Sequence, residues 1–169
     1  MPTLPQLIEE DVQLMGRAMQ DLLASTEATT ALIIDKGGFL IAHSGEDGQF
    51  DLTTIAALAS GAYMANQTIA NLVHEENFNS VYQQGEKFSM FVMNVDEYCM
   101  LVVIFKAGIS VGAVKYFALG ATSRIARQLK AAHERDPANG LDLSVLNMAD
   151  ASGLFVKKKK RAKRSSEVE

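Results

Sequence analysis

The chain has a single cysteine and three histidines in 169 residues, and over the 22 residues from Leu52 to Val73 it has no Asp, Glu, Lys or Arg. One cysteine, Cys99, rules out an internal disulfide. With His43, His74 and His133 far apart in sequence, metal sites of the usual Cys/His spacing are excluded as well. The phosphate-loop pattern G-x-x-x-x-G-K-[ST] is missing, and Gly45-Glu46-Asp47-Gly48 would repel a phosphate with its two carboxylates. No acid, base and nucleophile converge, so neither an enzyme nor a bound cofactor is expected. The N-terminal Met1-Pro2-Thr3-Leu4-Pro5 has no basic region, apolar signal core or myristoylation glycine, and a cytoplasmic protein is expected.

The missing charge between Leu52 and Val73 is the most informative absence. The stretch has helical spacing, and the exposed side of a soluble helix is usually its charged face. An uncharged one indicates that the side turned away from its own core is also covered. A membrane span is disfavoured, because Thr53, Thr54, Ser60, Asn66, Gln67, Thr68 and Asn71 are polar and the many alanines add little hydrophobicity. On a helical wheel Ile55, Leu58, Ala62, Ala65, Ile69, Leu72 and Val73 gather on one side, read as core. Thr53, Ala57, Ser60, Met64, Gln67, Thr68 and Asn71 lie roughly opposite, read as a docking face of small and amide-bearing residues around one adaptable methionine.

The length and a 48% hydrophobic content suit one well-buried domain with a tail. Residues 157–169 hold seven of the 16 basic residues and two of the 20 acidic ones, so the tail carries +5 and the preceding residues −9.

Leu4, Ile8, Val12, Met15, Met19 and Leu22 mark an amphipathic helix from about Gln6 to Ala24. Two extended runs, Ala31 to Ile34 and Phe39 to Ala42, flank the glycine turn Asp35-Lys36-Gly37-Gly38. After the uncharged helix, Asn77 to Gln84 reads as a polar edge strand, Lys87 to Val95 as a fourth strand, and Tyr98 to Phe105 as a fifth. The fifth is apolar on both faces, which places it at the centre of a sheet covered on both sides. Ser110 can cap a last helix with Val111, Val114, Phe117, Ala121, Ile125, Leu129 and Ala132 turned inward, ended by Asp136 to Gly140. The expected fold class is α+β, a five-stranded antiparallel sheet between helical layers. Cys99, Met90, Met93 and Met100 read as core filling.

Ile33-Ile34-Asp35-Lys36-Gly37-Gly38-Phe39-Leu40-Ile41, the helix opening Asp51-Leu52-Thr53-Thr54-Ile55-Ala56-Ala57-Leu58, and Leu101-Val102-Val103-Ile104-Phe105 resemble, in this order of elements, a Roadblock domain. Within that family the chain is similar to the bacterial MglB type, the regulators of the Ras-like GTPase MglA. The resemblance covers about residues 5–135. It implies a Roadblock/profilin-like sandwich, a homodimer built on the middle helix and its neighbouring edge strand, and a GTPase seated on the paired middle helices. Carried onto this sequence, the contacts implied for twin or GTPase are Thr53, Ala57, Ser60, Met64, Gln67, Thr68 and Asn71, with Asn79, Val81 and Tyr82 at the sheet edge.

The function implied is GTPase activation in cell polarity or motility. With no Arg or Lys in the middle helix, the regulator would act by repositioning the GTPase's own catalytic residues. The alternatives are a Roadblock scaffold without activation and a small-molecule sensor of similar architecture. The domain is expected over residues 1–136. Residues 137–156 follow as a docking segment that includes Leu154 and Phe155, with a basic, disordered tail over 157–169. Such a tail suits an anionic membrane or an acidic protein. Nucleic acid suits it least, because no aromatic is interleaved to stack a base.

Overall fold

A computed structural model describes residues 4–135, in the order α1 (Glu9–Thr26), β1 (Thr30–Asp35), β2 (Leu40–Gly45), α2 (Leu52–Leu72), β3 (Ser80–Gln83), β4 (Phe88–Asn94), β5 (Cys99–Lys106) and α3 (Val111–His133). The docking segment, with Leu154 and Phe155, and the basic tail lie outside the described residues. The five strands form one antiparallel sheet in the order β2-β1-β5-β4-β3. The doubly apolar strand β5 is central, as its composition requires, and the polar strand β3 is an edge.

Alternation along the strands divides the core in two. Ala31, Ile33, Phe91, Cys99, Leu101, Val103 and Phe105 pack with Met15, Met19 and Leu22 of α1 and Val114, Ile125 and Leu129 of α3. Leu32, Ile34, Val92, Met100, Val102 and Ile104 pack with Leu52, Ala56, Ala59 and Tyr63 of α2. Among the described residues, one face of the sheet therefore carries two helices and the other carries α2 alone.

Several boundaries shift for local reasons. The first helix starts at Glu9, three residues later than its periodicity predicts. The Asp11 carboxylate accepts the Ile8 N–H at 2.8 Å and holds Ile8 extended. It ends at Glu27 in the left-handed region. Strand β2 starts at Leu40, because Phe39 belongs to the turn. Asp35 donates its N–H to the Phe39 carbonyl at 2.9 Å, and its carboxylate accepts the Phe39 N–H at 2.8 Å. In α3 the Ser110 cap is present, accepting the Ala113 N–H. Phe117, read as core, is instead 38% exposed and packs edge-on against Tyr116, while Ala118 takes the inward position.

The turn is pressed onto α2. Gly38 has φ +91°, and a Cβ there would stand 2.9 Å from the Ala57 Cα. Gly38→Ala combines left-handed strain with a backbone clash and is expected to cost roughly 1–3 kcal/mol. The thermal midpoint should fall by roughly 3–10 °C. An unchanged melting curve would mean that turn and helix are not in this close contact.

Candidate partner-docking face

Asp51 starts α2 by accepting the Thr54 N–H at 3.1 Å and the Thr54 hydroxyl at 2.6 Å. The side of the helix that enters the core is built from small residues and one ring: Leu52, Ala56, Ala59, Ser60, Tyr63 and Ala70 are buried. This reverses much of the wheel reading. Leu58, Ile69, Leu72 and Val73, read as core, are 68%, 49%, 76% and 56% exposed, and Ala62 and Ala65 are exposed with them. Ile55 alone of that set is partly buried against the sheet. The true inward direction lies roughly a third of a turn away, because alanines let the helix lie close to the sheet while Tyr63 fills the remaining depth.

The seven residues read as the docking face divide accordingly. Thr53, Ala57, Met64, Thr68 and Asn71 are exposed on one flank of the outward surface. Ser60 is not available: it is buried and its hydroxyl donates to the Lys36 carbonyl at 2.7 Å. Gln67 is also engaged inward, its amide donating to the Phe78 carbonyl at 2.9 Å beside the Tyr63 hydroxyl at 3.2 Å. Both residues tie loops to α2 instead of facing a partner.

The other flank carries the exposed aliphatics and runs toward the open edge of the sheet. Ala59, Ala62 and Asn66 line a shallow groove whose far wall is Val81 and Gln83 of β3. Asn79 is exposed, Val81 partly buried, and Tyr82 39% exposed while its ring stacks on Phe105 of the opposite core at 6.2 Å. Val81 and Tyr82 thus point to opposite sides of an edge strand whose outer backbone groups have no neighbouring strand among the described residues.

Sequence reasoning missed Phe39, 62% exposed at the tip of the β1–β2 turn. The backbone of the turn that carries it is pinned. Lys36 donates its backbone N–H to the Tyr98 carbonyl at 2.9 Å, its ammonium bonds the Asn94 amide oxygen, and the same ammonium lies 4.7 Å from the centre of the Tyr63 ring. Burial pushes the Lys36 ammonium below its ordinary value, and the nearby Asp96 charge only partly opposes this. Lys36 is therefore a half-buried pin that ties the turn to Asn94, Tyr98 and Tyr63. The signal available in the sequence was Gly37-Gly38, which frees the next residue to leave the strand.

Cys99 is fully buried, and burial with the Asp96 and Asp35 charges pushes its thiol far above the ordinary range. It is an inert core residue. Among the described residues no group of His, Cys, Asp and Glu could hold a metal, and no helix is long and apolar enough to cross a membrane. The arginines Arg17, Arg124 and Arg127 sit on α1 and α3, across the sheet from α2.

The fold has counterparts among solved structures. An MglB with tetrameric arrangement superposes at TM-score 0.73 with 27% identity, covering 78% of this chain and 99% of that one. The gliding protein MglB from Thermus thermophilus gives 0.72 and 28%, with the same coverage. Myxococcus xanthus MglB gives 0.66 and 26%, covering 69% of this chain and 95% of that one. A profilin II from Acanthamoeba castellanii, at TM-score 0.50 and 15% identity, shares the fold alone. No curated sequence matches the chain significantly. The family model described as the Roadblock/LC7 domain matches residues 15–105, more than half of the chain, and the chain therefore belongs to the Roadblock/LC7 family, resembling bacterial MglB within it.

Proposed function

We propose that the protein is a homodimeric regulator of a Ras-like GTPase of the MglA type, acting in the cytoplasm in cell polarity or motility. The observation that carries this reading is the outward face of α2. It is free of charge and partly apolar, it lies beside an open edge strand, and the MglB proteins are similar to this chain over the same elements. Isolated exposed leucines are ordinary, but a contiguous set on one uncharged helix marks an interaction surface. A second copy added at β3 would extend the sheet by backbone pairing.

Activation by this face would be indirect. A GTPase activator that inserts an arginine gains roughly 10³–10⁵ in rate from neutralising phosphoryl charge. Here α2 offers no cation, Lys36 is internal, and the arginines of α1 and α3 belong to the opposite layer. As far as the described residues go, the regulator is left to reposition residues that the GTPase itself supplies.

The test is GTP hydrolysis by the MglA-type GTPase of the same organism, with and without this protein, together with binding in the GTP and GDP states. Stimulation is expected, and single replacement of Arg17, Arg124 or Arg127 by Ala is expected to leave it within about twofold. Binding without acceleration would favour a scaffold. Loss of stimulation from one arginine replacement with binding intact would overturn the indirect mechanism.

A further inference from the structure

The last helix departs from the rest of the chain in charge. The sequence as a whole carries a net charge of −4, yet the 23 residues of α3 hold Lys115, Arg124, Arg127 and Lys130 and not one Asp or Glu. Arg124 is engaged, its guanidinium donating to the Asp21 carboxylate of α1 at 2.6 Å. Lys115, Arg127 and Lys130 are exposed and make no ion pair among the described residues. Val114, Ala118, Ala121, Ile125 and Leu129 turn toward the sheet, so steps of three and four residues set Tyr116, Leu119, Ser123, Arg127 and Lys130 in one outward row. At the helical rise this row is about 21 Å long. Its aromatic and aliphatic members stand well clear of the core, Tyr116 at 72% and Leu119 at 52% exposure.

The positive surface is confined to this helix. Its neighbour α1 is acidic, with Glu9 and Glu10 exposed in the first turn and Glu27 exposed at the C-terminal cap. A helix cleared of anions in an acidic protein, bearing cations beside an exposed tyrosine and leucine, has the make-up of a face that lies on a bilayer. Lys and Arg reach the anionic headgroups, Tyr sits at headgroup level and Leu meets the acyl boundary. The row is also the convex outside of a helix, which suits a broad flat partner better than an inserted peptide. Stable attachment to a bilayer generally takes two signals. The sequence supplies a second of the same sign in Lys157 to Arg164, eight residues of which seven are basic and none acidic.

We propose that the outward row of α3, with Lys115, docks on an anionic lipid surface, and that the basic cluster Lys157 to Arg164 adds to the attraction. Arg127, Lys130 and Lys115 meet the headgroups, and Tyr116 and Leu119 seat at the interface. Because α2 packs on the opposite face of the sheet, a molecule attached in this way keeps α2 turned to the aqueous side. The proposal does not depend on the GTPase reading.

The test sediments the full chain with vesicles of phosphatidylcholine alone and of phosphatidylcholine with phosphatidylserine, at low and high salt. Binding is expected only to the anionic vesicles, with release as salt rises. Arg127→Glu combined with Lys130→Glu is expected to weaken binding by at least about tenfold with the thermal melt unchanged. Tyr116→Ser combined with Leu119→Ser should weaken it several-fold. Replacing Lys157, Lys158, Lys159 and Lys160 by Gln is expected to lower binding and to leave what remains sensitive to the Arg127 and Lys130 reversals. Absence of binding to the anionic vesicles would overturn the proposal. Full binding by the Arg127→Glu, Lys130→Glu protein would also overturn it, by placing the attraction in the tail alone. Soluble polyglutamate that binds as tightly as the vesicles, with no loss in the Tyr116→Ser, Leu119→Ser protein, would overturn it in favour of an acidic protein partner.

Discussion

Leu58→Glu is expected to dissociate the proposed homodimer while the protomer stays folded. The side chain is 68% exposed, so its replacement removes little from the protomer's own core. In a two-fold interface the same residue occurs on both sides, and each glutamate would bury a carboxylate among Ala62, Ala65 and the partner's equivalent face with no cation on α2 to receive it. An unpaired buried charge costs several kcal/mol, enough to raise the dimer dissociation constant by about 10³-fold or more. Light scattering across a concentration series reads this directly. The companion substitution Met64→Glu, on the other flank of α2, is expected to abolish binding of the proposed GTPase partner. A dimeric Leu58→Glu would show that the aliphatic flank is not the twin's site.

Replacing Asp11 is expected to have the largest effect on stability. Its carboxylate is fully buried where the start of α1 meets the end of α3. It receives both guanidinium nitrogens of Arg135 at 2.7 Å, the Gln128 amide at 2.6 Å and the Ile8 N–H at 2.8 Å. Asp11→Ala leaves these donors without an acceptor and should cost roughly 3–5 kcal/mol.

The same site has a pH signature. Burial alone would raise the Asp11 carboxyl, but the Arg135, Ile8 and Gln128 hydrogen bonds and the Arg135 charge outweigh it and hold the group below its ordinary value. A carboxyl whose folded-state value is depressed stabilises the fold fully above its unfolded value of about 3.9. That contribution is lost as pH falls through the lower folded value. The difference in thermal stability between wild type and Asp11→Asn should therefore be wide at pH 6 and close progressively as pH falls below the unfolded value of about 3.9. A gap that stays constant would sink the assignment.

The sheet was legible because its residues obey one rule at a time. The strand β5 is apolar on both faces and central, β3 is polar and marginal, and Gly37-Gly38 breaks a run that would otherwise continue. The first and last helices were legible for the same reason, with Phe117 turned aside by its pairing with Tyr116. The middle helix defeated the wheel because hydrophobicity normally points to a protein's own core. In α2 the larger aliphatics Leu58, Ile69 and Leu72 face outward and the alanines face in. Lack of charge marked a helix whose outward side is uncharged and partly apolar. It carried no information on which direction was covered by what. Ser60 and Gln67 were misplaced because a polar side chain that bonds a loop carbonyl looks, in sequence, like one awaiting a partner. Phe39 could not be found by periodicity at all, since its exposure depends on Asp35 capping a turn four residues earlier.

The central position of β5 also has a consequence in time. Its neighbour β1 pairs with it across about 70 residues, Thr30 opposite Ile104 and Asp35 opposite Cys99. Until Lys106 has left the ribosome, β1 and β2 form only an isolated hairpin and β4 lacks its inner neighbour, so neither helical layer has a floor to pack against. The uncharged helix would then spend that interval of synthesis with both its alanine side and its leucine side uncovered, and a chain truncated before β5 should be a substrate for chaperones and not a smaller regulator.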